Sequence, residues 1–300
     1  MTVFDQLQDI EILREEHLSK HTSFRVGGPA EFFALPKTAE ELTILVNICH
    51  KENVPLTILG DGTNVLISDS GLRGVVVTTS KMNKIECLGN RRIKAQAGAR
   101  LAKVAEAACK AEFAGFEFAS GIPGTVGGAV CMNAGAYDHD IAEFCESVTM
   151  LHVSNIQPIT IPGTEMGFAY RKSIIHDNPG ELLVLEAIFQ LLPGTESDIR
   201  TKMRELNNRR RQSQPLEFAS AGSTFKRPPG HYAGKLIQDS GLKGFAIGGA
   251  MVSEKHAGFV VNADNATAQD IYELIKAVQN RVLVDSGVWL EPEVRIMGFS

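Results

Sequence analysis

The sequence is poor in features that would point to several common classes of protein. Five of its 300 residues are cysteine and none stands in a C-x-x-C pair, so neither a disulfide framework nor a zinc site is expected. The eight histidines show no metal-ligand spacing, and we predict no metal site. The chain also lacks a run of about 20 apolar residues, which argues against a membrane span.

The charge balance also argues against a nucleic-acid-binding protein. Thirty lysines and arginines stand against 35 acids, and the formal net charge of −5 gives no support for nucleic-acid binding. Residues 1–16 contain acids and no long apolar run, so no signal peptide is expected. The cysteine usage indicates a reducing compartment. We therefore expect a cytoplasmic location, with neither nucleic acid nor membrane as a partner.

What the sequence does contain is glycine, and its densest stretch covers residues 121–136, beginning G-I-P-G-T-V-G-G-A. Because glycine has no Cβ, such a stretch lets the backbone approach another body closely. It is a candidate to hold a phosphate or a flat ring, and a tight turn packed on a strand is the alternative. It is not a Walker loop, since no Gly-Lys-Ser/Thr follows. A Rossmann fingerprint is not expected either, since no helical pattern opens after it.

A shorter glycine loop, Gly60-Asp61-Gly62-Thr63-Asn64, lies upstream between two predicted strands. Its backbone amides and its threonine and asparagine side chains could surround a diphosphate. A plain hairpin is the alternative.

Three polar clusters could carry chemistry. Arg171, after Tyr170, could bind a carboxylate with both nitrogens, or could simply be exposed. Ser223 could donate a proton if a carboxylate or an arginine supports it, or could cap a turn. Glu293 stands in an apolar final segment, where an acid needs a partner or solvent. The basic run at 209–211 ends a helix and could contact a diphosphate.

The length suggests about two domains, and the patterning predicts a helix-and-sheet layer arrangement for the first of them. Residues 1–21 are predicted to form a short helical lead-in, and the main domain boundary is placed near 195–212. Helical spacing predicts helices over 39–52, 99–113 and 197–211, and one from a capping box at Thr267 and Asp270 to a stop at Gly287. Strands are predicted between the helices, with a closing strand over 288–297.

Taken in order, the motifs resemble those of the UDP-N-acetylenolpyruvoylglucosamine reductases of peptidoglycan synthesis, the MurB family. The early motifs would also fit the wider family of flavoproteins that resemble vanillyl-alcohol oxidase, whereas the serine and glutamate motifs narrow the resemblance. With 300 residues and four tyrosines, the chain is similar to the shorter subclass, which lacks a tyrosine-bearing insertion. The matching motifs span nearly the whole chain, at 22–29, 60–64, 121–129, 133–137, 170–171, 221–228 and 290–295.

The resemblance implies an α+β fold, in which a two-lobed, PCMH-type FAD-binding region covers 22–193, with lobes at about 22–110 and 111–193. A smaller α+β substrate domain would follow over 200–300. FAD is the implied cofactor. The residues implied to hold it are Gly60, Asp61, Gly62, Thr63, Asn64 and Val65 at the diphosphate, and Gly121, Ile122, Pro123, Gly124, Thr125, Gly127, Gly128 and Ala129 at the isoalloxazine ring.

The resemblance also implies a reaction. NADPH would reduce the flavin and leave, and UDP-N-acetylglucosamine enolpyruvate would then be reduced to UDP-N-acetylmuramate by a hydride from flavin N5. Arg171 and a protonated Glu293 would stabilise the enolate, and Ser223 would deliver the proton. No obligate protein partner is inferred. The implied substrate-binding residues are Tyr170, Lys226, Arg295 and Arg210.

Three positions depart from the family's usual residues. Asp61 would place an acid beside a diphosphate, Asp138 stands where glycine is usual, and Gly258 stands where asparagine is frequent. Two rival hypotheses stay open: an FAD oxidase of the wider family with another substrate, and a catalytically silent relative that binds flavin or a UDP-sugar. The combination of Ser223 and Glu293 argues against the first, and the presence of Arg171 as well argues against the second.

Overall fold

The structure, a computed structural model, describes Leu7 and residues 9–299. These residues form eighteen strands, most of them short. In chain order they are β1 Glu11–His17, β2 Pro29–Leu35, β3 Leu56–Leu59, β4 Val65–Ile67, β5 Leu72–Thr78, β6 Ile85–Leu88, β7 Arg92–Gln96, β8 Phe113–Ala114, β9 Gly135–Ala136, β10 His139–Asp140, β11 Cys145–His152, β12 Gln157–Pro162, β13 Leu182–Gln190, β14 Leu192–Pro193, β15 Ala246–Ile247, β16 Ala250–Val252, β17 Val260–Asn262 and β18 Arg295–Met297.

The same residues form seven α-helices and several short 3-10 turns. The helices are α1 Ala39–Lys51, α2 Leu101–Lys110, α3 Val126–Met132, α4 Ile174–Asp177, α5 Glu196–Ser213, α6 Ala233–Asp239 and α7 Ala268–Ser286. Within this described part of the chain, no helix combines the length and the apolar character needed to cross a membrane.

The chain divides into two compact units. The first contains the described residues up to Arg14 together with 32–61 and 74–210, and the second contains 15–31, 62–73 and the residues from 211 onward. The second unit therefore takes two segments from the part of the chain that the sequence assigned to the lead-in and the FAD-binding region. The division between the units falls inside the short glycine loop, between Asp61 and Gly62.

The first unit is built on two sheets. One has the strand order β1-β2-β5-β3, with β3 and β5 parallel, and the other has the order β12-β11-β13-β7-β6, with antiparallel neighbours. Helix α1 contributes an apolar stripe to a core with β2 and β5, made of Leu42, Leu45, Val46 and Cys49. Helices α2 and α3 pack in a second core with β7, β11 and β13.

The second unit is organised around α7. Its apolar stripe is fully buried against the three-stranded sheet β15-β16-β17 and neighbouring segments, and consists of Ile271, Leu274, Ile275, Val278 and Val282. The predicted capping box at Thr267 and Asp270 and the predicted stop at Gly287 are confirmed. The Asp69 carboxylate also accepts hydrogen bonds from the N–H groups of Ala268 and Gln269, at 2.9 and 3.0 Å.

Two predicted elements are wrong. Glu11–His17 is a strand at the edge of the four-stranded sheet, followed by a 3-10 turn at Leu18–Lys20. Residues 1–6 and 8 of the predicted lead-in lie outside the described residues. Pairing with β2 overrides the helix-forming composition of this segment. The predicted closing strand is limited to Arg295–Met297, because Pro292 has no N–H to donate and the chain before Arg295 is irregular.

The capping box makes the second unit sensitive to acid. The pKa of Asp270 lies below its ordinary value, first because the Thr267 N–H donates a hydrogen bond to the carboxylate at 2.9 Å, while burial acts in the opposite direction. A carboxyl whose pKa is lowered by folding stabilises the fold above its unfolded pKa of about 4, and this stabilisation is lost as the pH falls through the folded pKa.

We therefore predict that Asp270→Asn lowers the melting temperature by a few degrees at pH 7, and that the deficit shrinks as the pH falls below about 4. Thermal melts across this pH range are the measurement. Glu273→Gln, on the exposed face of the same helix, is the control. A deficit that is independent of pH would contradict the account.

Candidate functional site

The long glycine stretch lies in the first unit and leads into a helix that the sequence did not predict. Helix α3 begins at Val126, although two of its seven residues are glycine. It forms because the Val126 N–H donates to the Ala99 carbonyl at 2.9 Å and the Gly127 N–H donates to the Ala97 carbonyl at 2.8 Å. Contacts with residues distant in sequence therefore override a weak local propensity.

The two glycines of α3 have different surroundings. A Cβ built on Gly127 would lie 3.2 Å from the Ala97 Cβ, so a side chain there would be tightly packed against the end of β7. A Cβ built on Gly128 would have one atom within 4 Å besides its chain neighbours, Thr125 Oγ1 at 4.0 Å. Gly127 thus serves internal packing, and Gly128 faces open space.

Thr125 is the most informative residue of the stretch. It is 2% exposed, and its Oγ1 has no hydrogen-bond partner within the described part of the chain. A Cβ built on Gly60 would lie 2.6 Å from this oxygen. Gly60 and Gly128 thus both lie beside the Thr125 hydroxyl, and these three residues are called the Thr125 cradle. An unsatisfied buried hydroxyl costs about 1–3 kcal/mol, so the cradle points to a ligand that completes its hydrogen bonding.

Asp61, the acid that the sequence places beside a diphosphate, forms an ion pair with Arg100. The Arg100 Nε lies 2.9 Å from the Asp61 Oδ2, and the backbone of Arg100 forms a bridge to Thr125. Arg100 therefore balances the charge of Asp61 at the edge of the Thr125 cradle. Sequence reasoning did not single out Arg100, because no local motif contains it.

The other half of the short loop lies in the second unit. Gly62 has φ +61°, and a Cβ there would lie 2.0 Å from the His21 carbonyl oxygen, so only glycine fits. Its own carbonyl accepts from the Ser23 N–H at 3.0 Å, while the buried Ser23 Oγ has no partner among Leu7 and residues 9–299. The hairpin alternative is wrong, since β3 pairs with β5 and β4 pairs with β18.

Asn64 links the short loop to the glutamate motif within the second unit. Its Nδ2 donates to the Glu293 carbonyl at 3.0 Å, and its own carbonyl accepts from the Arg295 N–H at 3.0 Å. Val65 continues this contact, because β4 pairs in parallel with β18 in the register Val65–Arg295. The side-chain N–H of Asn64 thus holds the segment that carries Glu293, although the sequence assigned Asn64 to FAD.

Thr224 brings the serine and glutamate motifs together in the second unit. It is fully buried, and its carbonyl accepts from the Glu293 N–H at 2.8 Å. Its N–H donates to the Gly258 carbonyl, and its Oγ1 accepts from the Val260 N–H, both at 2.9 Å. Ser223, the preceding residue, is therefore carried on a backbone segment that is bonded directly to Glu293.

Two of the implied substrate-binding residues, Lys226 and Arg295, lie in the serine and glutamate motifs. The Lys226 N–H donates to the Glu291 carbonyl at 2.9 Å, and its ammonium forms an ion pair with the Glu291 carboxylate. Arg295 is exposed at the start of β18.

Arg171 lies in the first unit at the tip of a two-residue turn. Ala169 and Lys172 close the turn with reciprocal backbone hydrogen bonds, both of 3.1 Å. Arg171 has φ +56°, its Nη2 donates to the Gly135 carbonyl at 3.4 Å, and its Cζ lies 5.0 Å from the centre of the exposed Tyr170 ring.

Arg210 lies on α5 beside the start of the glycine stretch. A Cβ built on Gly121 would lie 3.4 Å from the Arg210 Cδ and 2.5 Å from the Asn207 Oδ1. Burial lowers the pKa of the Arg210 guanidinium, and Tyr137 acts in the opposite direction. The side chains of Asn207 and Arg210 on helix α5 therefore pack closely on Gly121, and a Cβ there would require the Asn207 side chain to shift.

The remaining two departures fit their backbone positions. Asp138 has φ +65°, a conformation that aspartate tolerates better than most residues. The Gly258 carbonyl is the acceptor for the Thr224 N–H, and its own N–H donates to His256 Nδ1 at 3.1 Å.

Comparisons with known proteins agree with this arrangement. Residues 30–155 match the FAD binding domain family, and residues 214–297 match the C-terminal domain of UDP-N-acetylenolpyruvoylglucosamine reductase. Over 291 residues the chain is 47% identical to the UDP-N-acetylenolpyruvoylglucosamine reductase of Clostridium beijerinckii, covering 97% of this chain and 94% of that one. Over 294 residues it is 48% identical to that of Caldanaerobacter subterraneus subsp. tengcongensis, covering 96% of each.

One solved structure matches nearly the whole chain. The crystal structure of UDP-N-acetylenolpyruvylglucosamine reductase (MurB) from Thermus caldophilus matches with a TM-score of 0.81 at 33% identity, covering 96% of this chain and 99% of that chain. The predicted α+β fold, with a PCMH-type FAD-binding domain before the family's C-terminal domain, is confirmed. The chain belongs to the UDP-N-acetylenolpyruvoylglucosamine reductase (MurB) family.

Proposed function

We propose that this chain reduces UDP-N-acetylglucosamine enolpyruvate with NADPH and FAD, and that Arg171, Ser223 and Glu293 carry the proton and charge chemistry. Family membership makes it a UDP-N-acetylmuramate dehydrogenase of peptidoglycan precursor synthesis. The observation that carries the assignment of residues is the hydrogen bond from Glu293 to Thr224, because it puts the proton-donor candidate and the acid candidate on adjoining backbone.

The residues present fit FAD. The Thr125 cradle offers an unsatisfied hydroxyl that packs closely on Gly60, and beside it the Cα of Gly128, where a Cβ would meet open space. The first two amides of α3 already donate to protein carbonyls, which favours a flat ring over a phosphate at this stretch. When bound, FAD supplies the two-electron chemistry that links NADPH to the enolpyruvyl double bond.

The overall reaction consumes NADPH and one proton and yields NADP⁺ and UDP-N-acetylmuramate. The double bond is replaced by two new C–H bonds, of which one receives its hydrogen as the proton from Ser223 Oγ. Negative charge develops on the substrate carboxylate before that proton arrives. The Arg171 guanidinium stabilises it by charge, and Glu293 in its protonated form stabilises it by donating a hydrogen bond.

Four further residues are proposed to bind the substrate. Lys226, Arg210 and Arg295 carry positive charge suited to the substrate's diphosphate, and Tyr170 offers an exposed ring beside Arg171. Lys226 would exchange its ion pair with the exposed Glu291 for a substrate oxygen.

The test of the function separates the two half-reactions by rapid mixing of the FAD-loaded protein. NADPH oxidation by the unaltered protein should depend on the enolpyruvyl substrate. For Ser223→Ala we predict flavin reduction by NADPH within about twofold of the unaltered rate, and reoxidation by the substrate slowed on the order of 10²–10⁴-fold. Ser240→Ala, at the end of α6, is the control. Equal slowing of both half-reactions would rule out a proton-donor role.

A second prediction concerns the cofactor alone. Thr125→Val keeps the side-chain shape and removes the unpartnered hydroxyl. Without FAD the variant should be at least as stable as the unaltered protein, because no protein hydrogen bond is lost. Its FAD dissociation constant should rise roughly 3- to 12-fold, which corresponds to about 0.7–1.5 kcal/mol.

Fluorescence titration of the apoprotein with FAD measures the affinity, and thermal melts without FAD measure the stability. Thr125→Ser, which keeps the hydroxyl, should bind FAD more tightly than Thr125→Val. Unchanged FAD affinity in Thr125→Val would show that the cradle does not hold the cofactor.

A further inference from the structure

The C-terminal part of the glycine stretch, residues 131–135, holds the turn that carries Arg171. Within the first unit, Asn133 Nδ2 donates to the Ala169 carbonyl at 3.2 Å, and Ser173 Oγ donates to the Cys131 carbonyl at 2.8 Å. We propose that Asn133 is a positioning residue for Arg171, which acts by fixing this turn. The proposal rests on the role that the proposed function gives to Arg171.

The Asn133 side chain is held in a single orientation. Besides its bond to Ala169, its Nδ2 donates to the Asp140 Oδ2 at 3.0 Å, and its Oδ1 accepts from the Ala142 N–H at 2.9 Å. The residue is 2% exposed, so these bonds are shielded from water. Aspartate could not replace it, because a carboxylate would face two further acceptor oxygens.

The turn needs such support because its backbone is strained. Arg171 is a non-glycine residue at φ +56°, a conformation that persists where surrounding contacts impose it. On one side of the turn, Asn133 donates a hydrogen bond to the Ala169 carbonyl. On the other side, the fully buried Ser173 donates to the Cys131 carbonyl. The Gly135 carbonyl accepts from the Arg171 guanidinium at 3.4 Å. Both ends of the turn and the charged group itself are therefore tied to residues 131–135.

This arrangement connects the flavin-binding stretch to the charge-stabilising arginine. Asn133 caps the C-terminal end of α3, and the start of α3 borders the Thr125 cradle. Stabilisation of developing charge depends steeply on where the guanidinium lies. Loss of the Asn133 bonds should therefore impair reoxidation by the substrate, in which Arg171 acts, and should spare flavin reduction by NADPH.

Asn133→Gly is the variant of choice in the full-length, FAD-loaded protein. Asn133 has φ +42°, so glycine keeps the backbone conformation and removes only the side-chain bonds. We expect FAD content and flavin reduction within about twofold, and reoxidation slowed on the order of tenfold. Amide hydrogen exchange at Lys172 should accelerate. Asn90→Gly, an exposed asparagine at φ +60° in the same unit, is the matched control.

A double-mutant cycle with Arg171→Ala separates positioning from general structural support. If Asn133 acts through Arg171, Asn133→Gly adds little further slowing once the arginine is absent. Equal slowing in both backgrounds, or equal slowing of both half-reactions, would overturn the inference.

The same cycle distinguishes this inference from the proposed function. If Arg171→Ala reoxidises at the unaltered rate, the role proposed for Arg171 fails, and the positioning role fails with it. If Arg171→Ala is slow and Asn133→Gly is not, the inference alone fails. Should Asn133→Gly not fold, Ser173→Ala, which removes the other tie, must show selective slowing of reoxidation, and equal slowing of both half-reactions overturns the inference.

Discussion

One hydrogen bond, from the Glu293 N–H to the Thr224 carbonyl, holds together the part of the second unit on which the proposed chemistry depends. Thr224 is itself fixed by Gly258 and Val260, and the other side of the glutamate segment is fixed by Asn64. Thr224, Gly258 and Val260 are buried, in a low-dielectric environment where such bonds are strong and costly to leave unmade. Backbone hydrogen bonds thus fix the main-chain positions from which the Ser223 and Glu293 side chains extend.

In the first unit, the feature that points to a ligand is a buried hydroxyl that forms no hydrogen bond within the described residues. Thr125 carries a buried hydroxyl without a partner among the described residues, packed closely on Gly60 and beside the open space at Gly128. Nearby charge is balanced, because Arg100 pairs with Asp61. A buried hydroxyl without a partner favours a ligand that completes its hydrogen bonding, and because residues 30–155 match an FAD binding domain, FAD is the ligand that we propose for it.

Sequence patterns predicted the structural features that depend on interactions between residues close together in the chain. The capping box at Thr267 and the glycine that ends α7 are contained within the helix they bound, and both were predicted correctly. The predicted helix at the N-terminus failed because Glu11–His17 is an edge strand whose partner is another segment. Helix α3 was missed for a related reason, since its first amides depend on carbonyls from residues 97 and 99.

The candidate site shows the same limit. Motif resemblance selected Ser223 and Glu293, and the structure places their segments together, but their catalytic roles stay predictions. Asn64 was expected to contact FAD, and no local pattern could show that its amide binds a carbonyl 229 positions away. Arg100 and Asn133 were not selected, because their importance lies in the groups they contact.

The most direct test of the account is a single turnover of the reduced, FAD-loaded protein with UDP-N-acetylglucosamine enolpyruvate in the absence of oxygen and NADPH. Flavin absorbance reports reoxidation, and nuclear magnetic resonance identifies the product. The account predicts that the flavin is reoxidised only when the substrate is present, and that about one UDP-N-acetylmuramate forms per flavin. A flavin that stays reduced, or one that is reoxidised without forming this product, would contradict it.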